Sequence, residues 1–289
     1  MRPRRRLGQS FLVDEKVLAA ILRAAELKPE LRVLEIGAGL GTLTAALAES
    51  CRQVVAVEVD AALAAFLRGR FAADPRVLVV EADALTLPLP PPAAAPAPGE
   101  RLRVVANIPY AIATPLLRRL LPLGGVVDRC LVMVQRELAE RLTAAPGGRT
   151  YGALTLLCRY YAEAAVVASA PRGSFEPVPA VDSLLVRLDL LPRPAVTVRR
   201  PDLLFALIRA GFGQRRKMLR NALAASVVLR PVAADLPAAF AAAGVAGNRR
   251  AETLSLEEFA ALAEVLAPAA PAHPLRFAEE DDAEDPGGG

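Results

Sequence analysis

Residues 33–44 read Val33-Leu34-Glu35-Ile36-Gly37-Ala38-Gly39-Leu40-Gly41-Thr42-Leu43-Thr44. An apolar run, a set of glycines and a helix-compatible stretch in that order describe a buried strand, a tight turn and the start of a helix. The glycines permit the turn and let a ligand approach the backbone, while the helix start presents unpaired N–H groups beside it. The spacing is GxGxG; the dinucleotide fingerprint GxGxxG would want a small residue at position 42, where Thr42 stands.

Strand-like runs occur at Arg32–Ile36, Val54–Val59, Val77–Glu81, Val104–Ala106 and Leu131–Gln135, with helical stretches between them. This alternation predicts an α/β fold, a parallel Rossmann-like sheet with helices on both faces. Between the third and fourth runs, Leu87–Glu100 (LPLPPPAAAPAPGE) is too rich in proline for a helix or a paired strand, so residues 88–100 read as an expanded surface loop. After Pro192–Pro194 only helical segments follow, at Asp202–Phe212, Arg215–Ala225, Ala233–Ala243 and Ser255–Leu266. The last opens with Ser255 and Glu258 at capping-box spacing. The expected organisation is a catalytic domain over residues 1–198, a small α-helical domain over 199–267 and a disordered acidic tail over 268–289.

At 289 residues and 54% hydrophobic, the chain can fill a sizeable core. Every apolar run is broken well before the ~20 residues that a membrane span requires. The N-terminus carries Arg2, Arg4, Arg5 and Arg6 without an apolar stretch of the signal-peptide kind, so the cytoplasm is the expected location, with no membrane partner. Cys51, Cys130 and Cys158 are isolated, which suggests neither a zinc site nor a disulfide framework. The only histidine is His273, so imidazole triads, imidazole bases and most transition-metal sites are excluded, and no metal is expected. The net charge of +4 understates the basic body, because Glu279, Glu280, Asp281, Asp282, Glu284 and Asp285 lie in a stretch without bases. With a pI near 9.2, that excess fits a polyanionic partner.

The second strand-like run leads straight into Glu58, whose carboxylate would stand at the strand tip and can accept two hydrogen bonds from a ribose diol. The third leads to Glu81-Ala82-Asp83, placing Asp83 where it can accept from an adenine amino group. Gly37 and Gly39, Glu58 and Asp83 at three successive strand ends describe a pocket for an adenosine bearing a sulfonium amino acid, S-adenosylmethionine, in preference to NAD. After the fourth run comes Asn107-Ile108-Pro109-Tyr110, which resembles the [DNS]-[IL]-P-[YF] motif of methyltransferases acting on exocyclic amino groups of bases. The lone pair of such an amino group is delocalised into the ring, so the nitrogen reacts only when its hydrogens are accepted by neighbouring oxygens. The Asn107 side chain and the carbonyl of Ile108 or Pro109 are candidate acceptors, with Pro109 shaping the turn and Tyr110 stacking on the extracted base. Asn107 is also expected to touch the cofactor.

Segments along residues 5–266 resemble the bacterial small-subunit (16S) rRNA adenine N6,N6-dimethyltransferase family. They are Arg5–Leu12 (RRLGQSFL), Asn107–Pro115 (NIPYAIATP), Val134–Glu137 (VQRE), Phe175–Ser183 (FEPVPAVDS), Phe212–Asn221 (FGQRRKMLRN) and Arg250–Ser255 (RAETLS). The resemblance implies a class I methyltransferase that uses S-adenosylmethionine to place two methyl groups on each of two adjacent adenosines near the 3′ end of small-subunit rRNA, within a pre-ribosomal particle, and acts as a monomer. It also implies that Ser10 and Leu12 close over the cofactor, with Ser10 standing where the family more often has Asn. The 175–183 loop walls the target base, with Phe175 at the RNA. Arg215, Arg216, Lys217 and Arg220 form a cationic cluster at a helix start, where the helix dipole disfavours cations and phosphate contact supplies a reason for them.

Erythromycin-resistance-type enzymes acting on large-subunit rRNA share the glycine turn and the Asn-x-Pro-Tyr motif, but the Arg250–Ser255 ending and the N-terminal box favour the small-subunit family. A non-catalytic RNA-binding assembly factor would not need Gly37, Glu58, Asp83 and Asn107 together. An NAD oxidoreductase would need a hydride site and a GxGxxG turn, and neither is apparent.

Overall fold

A computed structural model describes residues 10–271 and 273–274; the start of the Arg5–Leu12 box and the tail beyond residue 274 lie outside the described residues. Two compact units divide the chain, one formed by residues up to Thr143 together with Tyr161–Arg193, the other by Ala144–Tyr160 together with residues from Pro194 onward. The change in composition set a boundary between residues 198 and 199; the second unit also takes in Ala144–Tyr160, a segment that nothing in the sequence assigns to it.

The first unit is built on a seven-stranded sheet. In chain order it contains β1 (Phe11–Leu12), α1 (Glu15–Ala25), β2 (Arg32–Ile36), α2 (Thr42–Ala48), β3 (Gln53–Glu58), α3 (Ala61–Arg70) and β4 (Val77–Glu81). There follow β5 (Leu102–Asn107), α4 (Ala113–Leu120), β6 (Val127–Gln135), α5 (Arg136–Thr143), α6 (Ala153–Tyr161, running out of the second unit), β7 (Ala162–Ala170), β8 (Phe175–Glu176) and β9 (Ser183–Leu190). The large sheet has the order β4-β3-β2-β5-β6-β9-β7, and β1 pairs with β8 in a separate two-stranded ribbon.

The five runs read from the sequence form the parallel part, β4 through β6. Two further strands extend this parallel part: β9 pairs antiparallel to β6 and β7 pairs antiparallel to β9. Both lie after the last expected strand, and β7, with its run of alanines and exposed valines, lacks the dense apolar character of a buried parallel strand.

Both faces of the central parallel strands, β2, β3, β5 and β6, are buried. Val33, Val54, Val105 and Leu131 share a core with Val17 and Ile21 of α1 and Leu43 and Leu47 of α2, while Leu34, Val55, Val104 and Cys130 on the opposite face are fully buried. Alternate residues of one strand point to opposite faces, so a strand covered on both sides reads as a mostly apolar run, as the central strands do. The proline-rich crossover from β4 to β5 is irregular apart from one 3-10 turn, Pro92–Ala94, and Ala94 is fully buried. Arg32 Nη1 donates to the Ala95 carbonyl at 2.7 Å and Arg52 pairs with Glu100, so the loop is tied down at its far end.

The second unit holds α7 (Pro201–Gly213), α8 (Leu219–Ala224), α9 (Leu236–Ala242) and α10 (Leu256–Leu266), together with most of α6. Tyr151 packs edge-on against Phe212 and its hydroxyl donates to the Leu254 carbonyl at 2.8 Å. The capping box of α10 is formed on both sides, Ser255 Oγ accepting from Glu258 N and the Glu258 carboxylate accepting from Ser255 N. The expected helix over Arg215–Ala225 begins later than read: Met218 is the N-cap of α8, so Arg215, Arg216 and Lys217 lie in the preceding turn. Of the cluster, only Arg220 stands in the first turn of α8.

Candidate active site

The strand order reverses between β2 and β5, and a cavity of about 230 Å³ opens at the carboxyl ends of the parallel strands around that point. This is where an open α/β sheet offers a crevice, because neighbouring strands send their connections to opposite sides. Ser10, Leu12, Gly37, Gly39, Glu58, Asp83, Asn107, Pro109, Tyr110 and Phe175 all line it.

Gly37 and Gly39 have φ of +80° and +57°. A Cβ on Gly37 would stand 3.0 Å from the Asn107 carbonyl oxygen, and one on Gly39 3.0 Å from the Phe11 ring. The turn is thus held by left-handed backbone and by close neighbours at once. Glu58 fastens it: one carboxylate oxygen accepts from Gly39 N at 2.8 Å and the other from Asp60 N at 3.0 Å, in a side chain only 5% exposed. Asp60 in turn caps α3, accepting from Ala62 N and Leu63 N. Each Glu58 oxygen keeps a further lone pair for a ligand hydroxyl. Asp83 uses one oxygen to accept from Leu85 N at 2.8 Å, which fixes its turn beyond β4.

Asn107 ends β5, and its Nδ2 donates to the Ser10 carbonyl at 3.2 Å. With the amide nitrogen so engaged, Oδ1 is the acceptor left over. Tyr110 opens a 3-10 turn, and its hydroxyl lies 3.0 Å from Ser183 Oγ at the start of β9. Phe175 is 4% exposed and belongs to the apolar core beneath the ribbon, a wall of the cavity and not a projecting side chain. Leu12 pairs with Phe175 across that ribbon.

The cationic residues lie in the second unit. Arg215 is spent within it, paired with Glu252 at 2.8 Å and donating to the carbonyls of Gly148 and Arg149. Arg216, Lys217 and Arg220 are exposed.

Among the lining residues to which the sequence reading gave no role are Phe11, Ser183 and Glu35. Phe11 packs over Gly39; Ser183 ends a quoted motif, but its partner Tyr110 is far away in the chain; Glu35 lies inside the quoted strand. An acid in a buried strand was a signal open to view. Glu35 is 1% exposed, Oε2 has no hydrogen-bond partner, and burial, with the charge of Glu58 adding to it, pushes the carboxyl from 4.5 up to about 8. The fold keeps this proton up to about pH 8, while the unfolded chain releases it near 4.5, so stability falls as pH rises through that window. Glu35→Gln is therefore expected to be more stable than the parent at pH 8, by on the order of a few kcal/mol, with the gap closing toward pH 5. Denaturant titrations of both proteins across that range test it, and parallel stability profiles would refute it.

Residues 1–268 match the family described as ribosomal RNA adenine dimethylase. A curated protein of Moorella thermoacetica, named ribosomal RNA small subunit methyltransferase A, is 43% identical over 269 residues, covering 91% of this chain and 92% of its own. Among solved structures, the 23S rRNA methyltransferase ErmE is 32% identical with a TM-score of 0.67, covering 89% of this chain and 99% of its own. A dimethyladenosine transferase from Plasmodium falciparum is 25% identical with a TM-score of 0.72, covering 87% and 95%. The glycine turn on β2, the acid at the end of β3 and the Asn-Ile-Pro-Tyr turn after β5 meet in one cavity, and the chain that carries them belongs to the ribosomal RNA adenine dimethylase family.

Proposed function

We propose that the protein methylates adenine N6 in small-subunit (16S) rRNA, placing two methyl groups on each of two adjacent adenosines near its 3′ end, with S-adenosylmethionine as donor. The observation that carries this reading is the Asn107 amide: its nitrogen is committed to the Ser10 carbonyl, and its oxygen is left for a ligand in a cavity that also holds Glu58 and Asp83.

The residues present fit the cofactor. Gly37 and Gly39 form a cradle that a Cβ would fill, Glu58 has lone pairs for the ribose diol, and Asp83 has an oxygen for the adenine amino group. Ser10 and Leu12 would cover it from the N-terminal side. When bound, the cofactor supplies an electrophilic methyl, and each transfer forms one N6–C bond, breaks one S–CH3 bond and releases one N6 proton.

Asn107 Oδ1 and the carbonyl of Ile108 or Pro109 accept from the two N6 hydrogens, which draws electron density onto nitrogen without a strong base. Pro109 O already accepts from Ile112 N at 3.1 Å. The Tyr110 ring stacks on the base and excludes water from that face. Arg216, Lys217 and Arg220 serve phosphate contacts, with Phe175 walling the base; Arg215 contributes through the loops it ties together.

The partner is a pre-ribosomal particle, and the protein works as a cytoplasmic monomer. No helix among the described residues is long and apolar enough to cross a membrane, and all three cysteines are buried. With labelled donor, N6,N6-dimethyladenosine is expected in small subunits lacking the modification and not in large subunits, when digested RNA is analysed by mass spectrometry. Label confined to large-subunit RNA would move the assignment to the activity that ErmE is named for. Cofactor binding without any transfer would point to an assembly factor.

A further inference from the structure

We propose that Ser183 is a positioning residue that, through its hydrogen bond to Tyr110, governs the second methyl transfer to each adenine more than the first. This rests on the reading of the site as an adenine N6 dimethyltransferase.

Ser183 is 1% exposed, is the first residue of β9 and lines the cavity. It is paired with Gln135 at the end of β6, so its backbone is fixed by the sheet. Tyr110, in contrast, is half-buried in a 3-10 turn after β5, and the 3.0 Å contact between its hydroxyl and Ser183 Oγ ties the far end of its ring to that sheet. An alanine would fill the same place in the strand with one atom fewer. The hydroxyl therefore has little structural use beyond holding Tyr110.

The chemistry separates the two transfers. Adenine N6 begins with two hydrogens, which Asn107 Oδ1 and a backbone carbonyl can both accept. After the first transfer one hydrogen remains, so one acceptor has lost its partner and the hydrogen-bond grip on the amino group is weaker. The orientation of N6-methyladenine then depends more on the wall its ring packs against, which is Tyr110. A ring free to tilt costs little while the two-point grip holds, and more once it is gone, since small misplacements of a reacting atom lower rates steeply.

Ser183→Ala, Tyr110→Phe and the double variant are compared with the parent enzyme on small subunits, following N6-methyl- and N6,N6-dimethyladenosine over time by mass spectrometry. Cofactor affinity is measured by calorimetry and folding by thermal melting. Ser183→Ala is expected to slow the second transfer about 10-fold and the first less than about 3-fold, so that monomethyladenosine accumulates while cofactor affinity and melting stay near parental. Tyr110→Phe, which breaks the same bond without touching the buried serine, is expected to match it, and the double variant to be no worse than either. Equal slowing of both transfers, loss in substrate KM alone, or additive effects in the double variant would overturn the role of the pair. A parent enzyme that places no methyl on adenine N6 would overturn the reading of the site, and the proposal with it.

Discussion

Asn107→Ala is expected to lower the methyl-transfer rate about 100- to 1000-fold, the usual cost of removing one preorganised group that acts at the reacting atom. The truncated side chain has lost the oxygen left over once Nδ2 is engaged with the Ser10 carbonyl. It also releases that carbonyl, so a modest loss of cofactor affinity is expected beside the rate effect. The fold should persist, because Asn107 is half-buried at a strand end. Asn107→Asp separates the two contributions: it keeps an acceptor oxygen but sets a carboxylate against the Ser10 carbonyl, so it should recover part of the rate while binding the cofactor less well. Single-turnover transfer, calorimetric cofactor affinity and thermal melting together decide the matter. An alanine variant within about 3-fold of the parent rate would remove Asn107 from the chemistry.

Glu58→Ala is expected to weaken cofactor binding about 100-fold and to lower stability by ~2–4 kcal/mol. Two buried backbone donors, Gly39 N and Asp60 N, lose their acceptor together, and a buried donor left unsatisfied costs ~1–3 kcal/mol. The first of these holds the glycine turn and the second holds the N-cap of α3, so one side chain sets two elements of the site. Glu58→Gln should fall between, since in either amide orientation its NH2 group must face one of the two N–H donors. Denaturant unfolding reports the structural part, and calorimetry on the folded fraction reports the ligand part. Loss of affinity without loss of stability would mean that Glu58 serves only the ribose; loss of stability alone would mean that it serves only the turn.

Much of the site was legible because each part is local. The turn of residues 33–44, the acid that ends β3, the acid beyond β4 and the Asn107–Tyr110 turn each carry their chemistry in a few consecutive residues. The parallel strands were legible for a related reason: the central ones are buried on both faces, so they read as mostly apolar runs. The capping box of α10 needed only Ser255 and Glu258. Strand β7 was not legible, because a strand at the edge of a sheet takes its place from a partner and β7 exposes several of its side chains; β9, apolar and buried between β6 and β7, went unread. The cluster at Arg215 was misread as a helix start because charged residues carry no periodicity of their own, whereas the packing of Leu219 and Leu223 decides where α8 begins.

The sequence by itself determined the chemical inventory: a glycine turn, two acids at strand ends, an amide with an aromatic neighbour, and no imidazole apart from His273. Tertiary structure alone decided which atoms of that inventory are already engaged. Glu58 is shared between Gly39 and Asp60, Asn107 gives its nitrogen to Ser10, Tyr110 is anchored by Ser183, and Arg215 is held by Glu252. Hydrogen bonds act over about 3 Å, while these partners lie up to 97 residues apart in the chain. The order of strands in the sheet brings Gly39 to Glu58 and Tyr110 to Ser183, and the folding of the second unit brings Arg215 to Glu252.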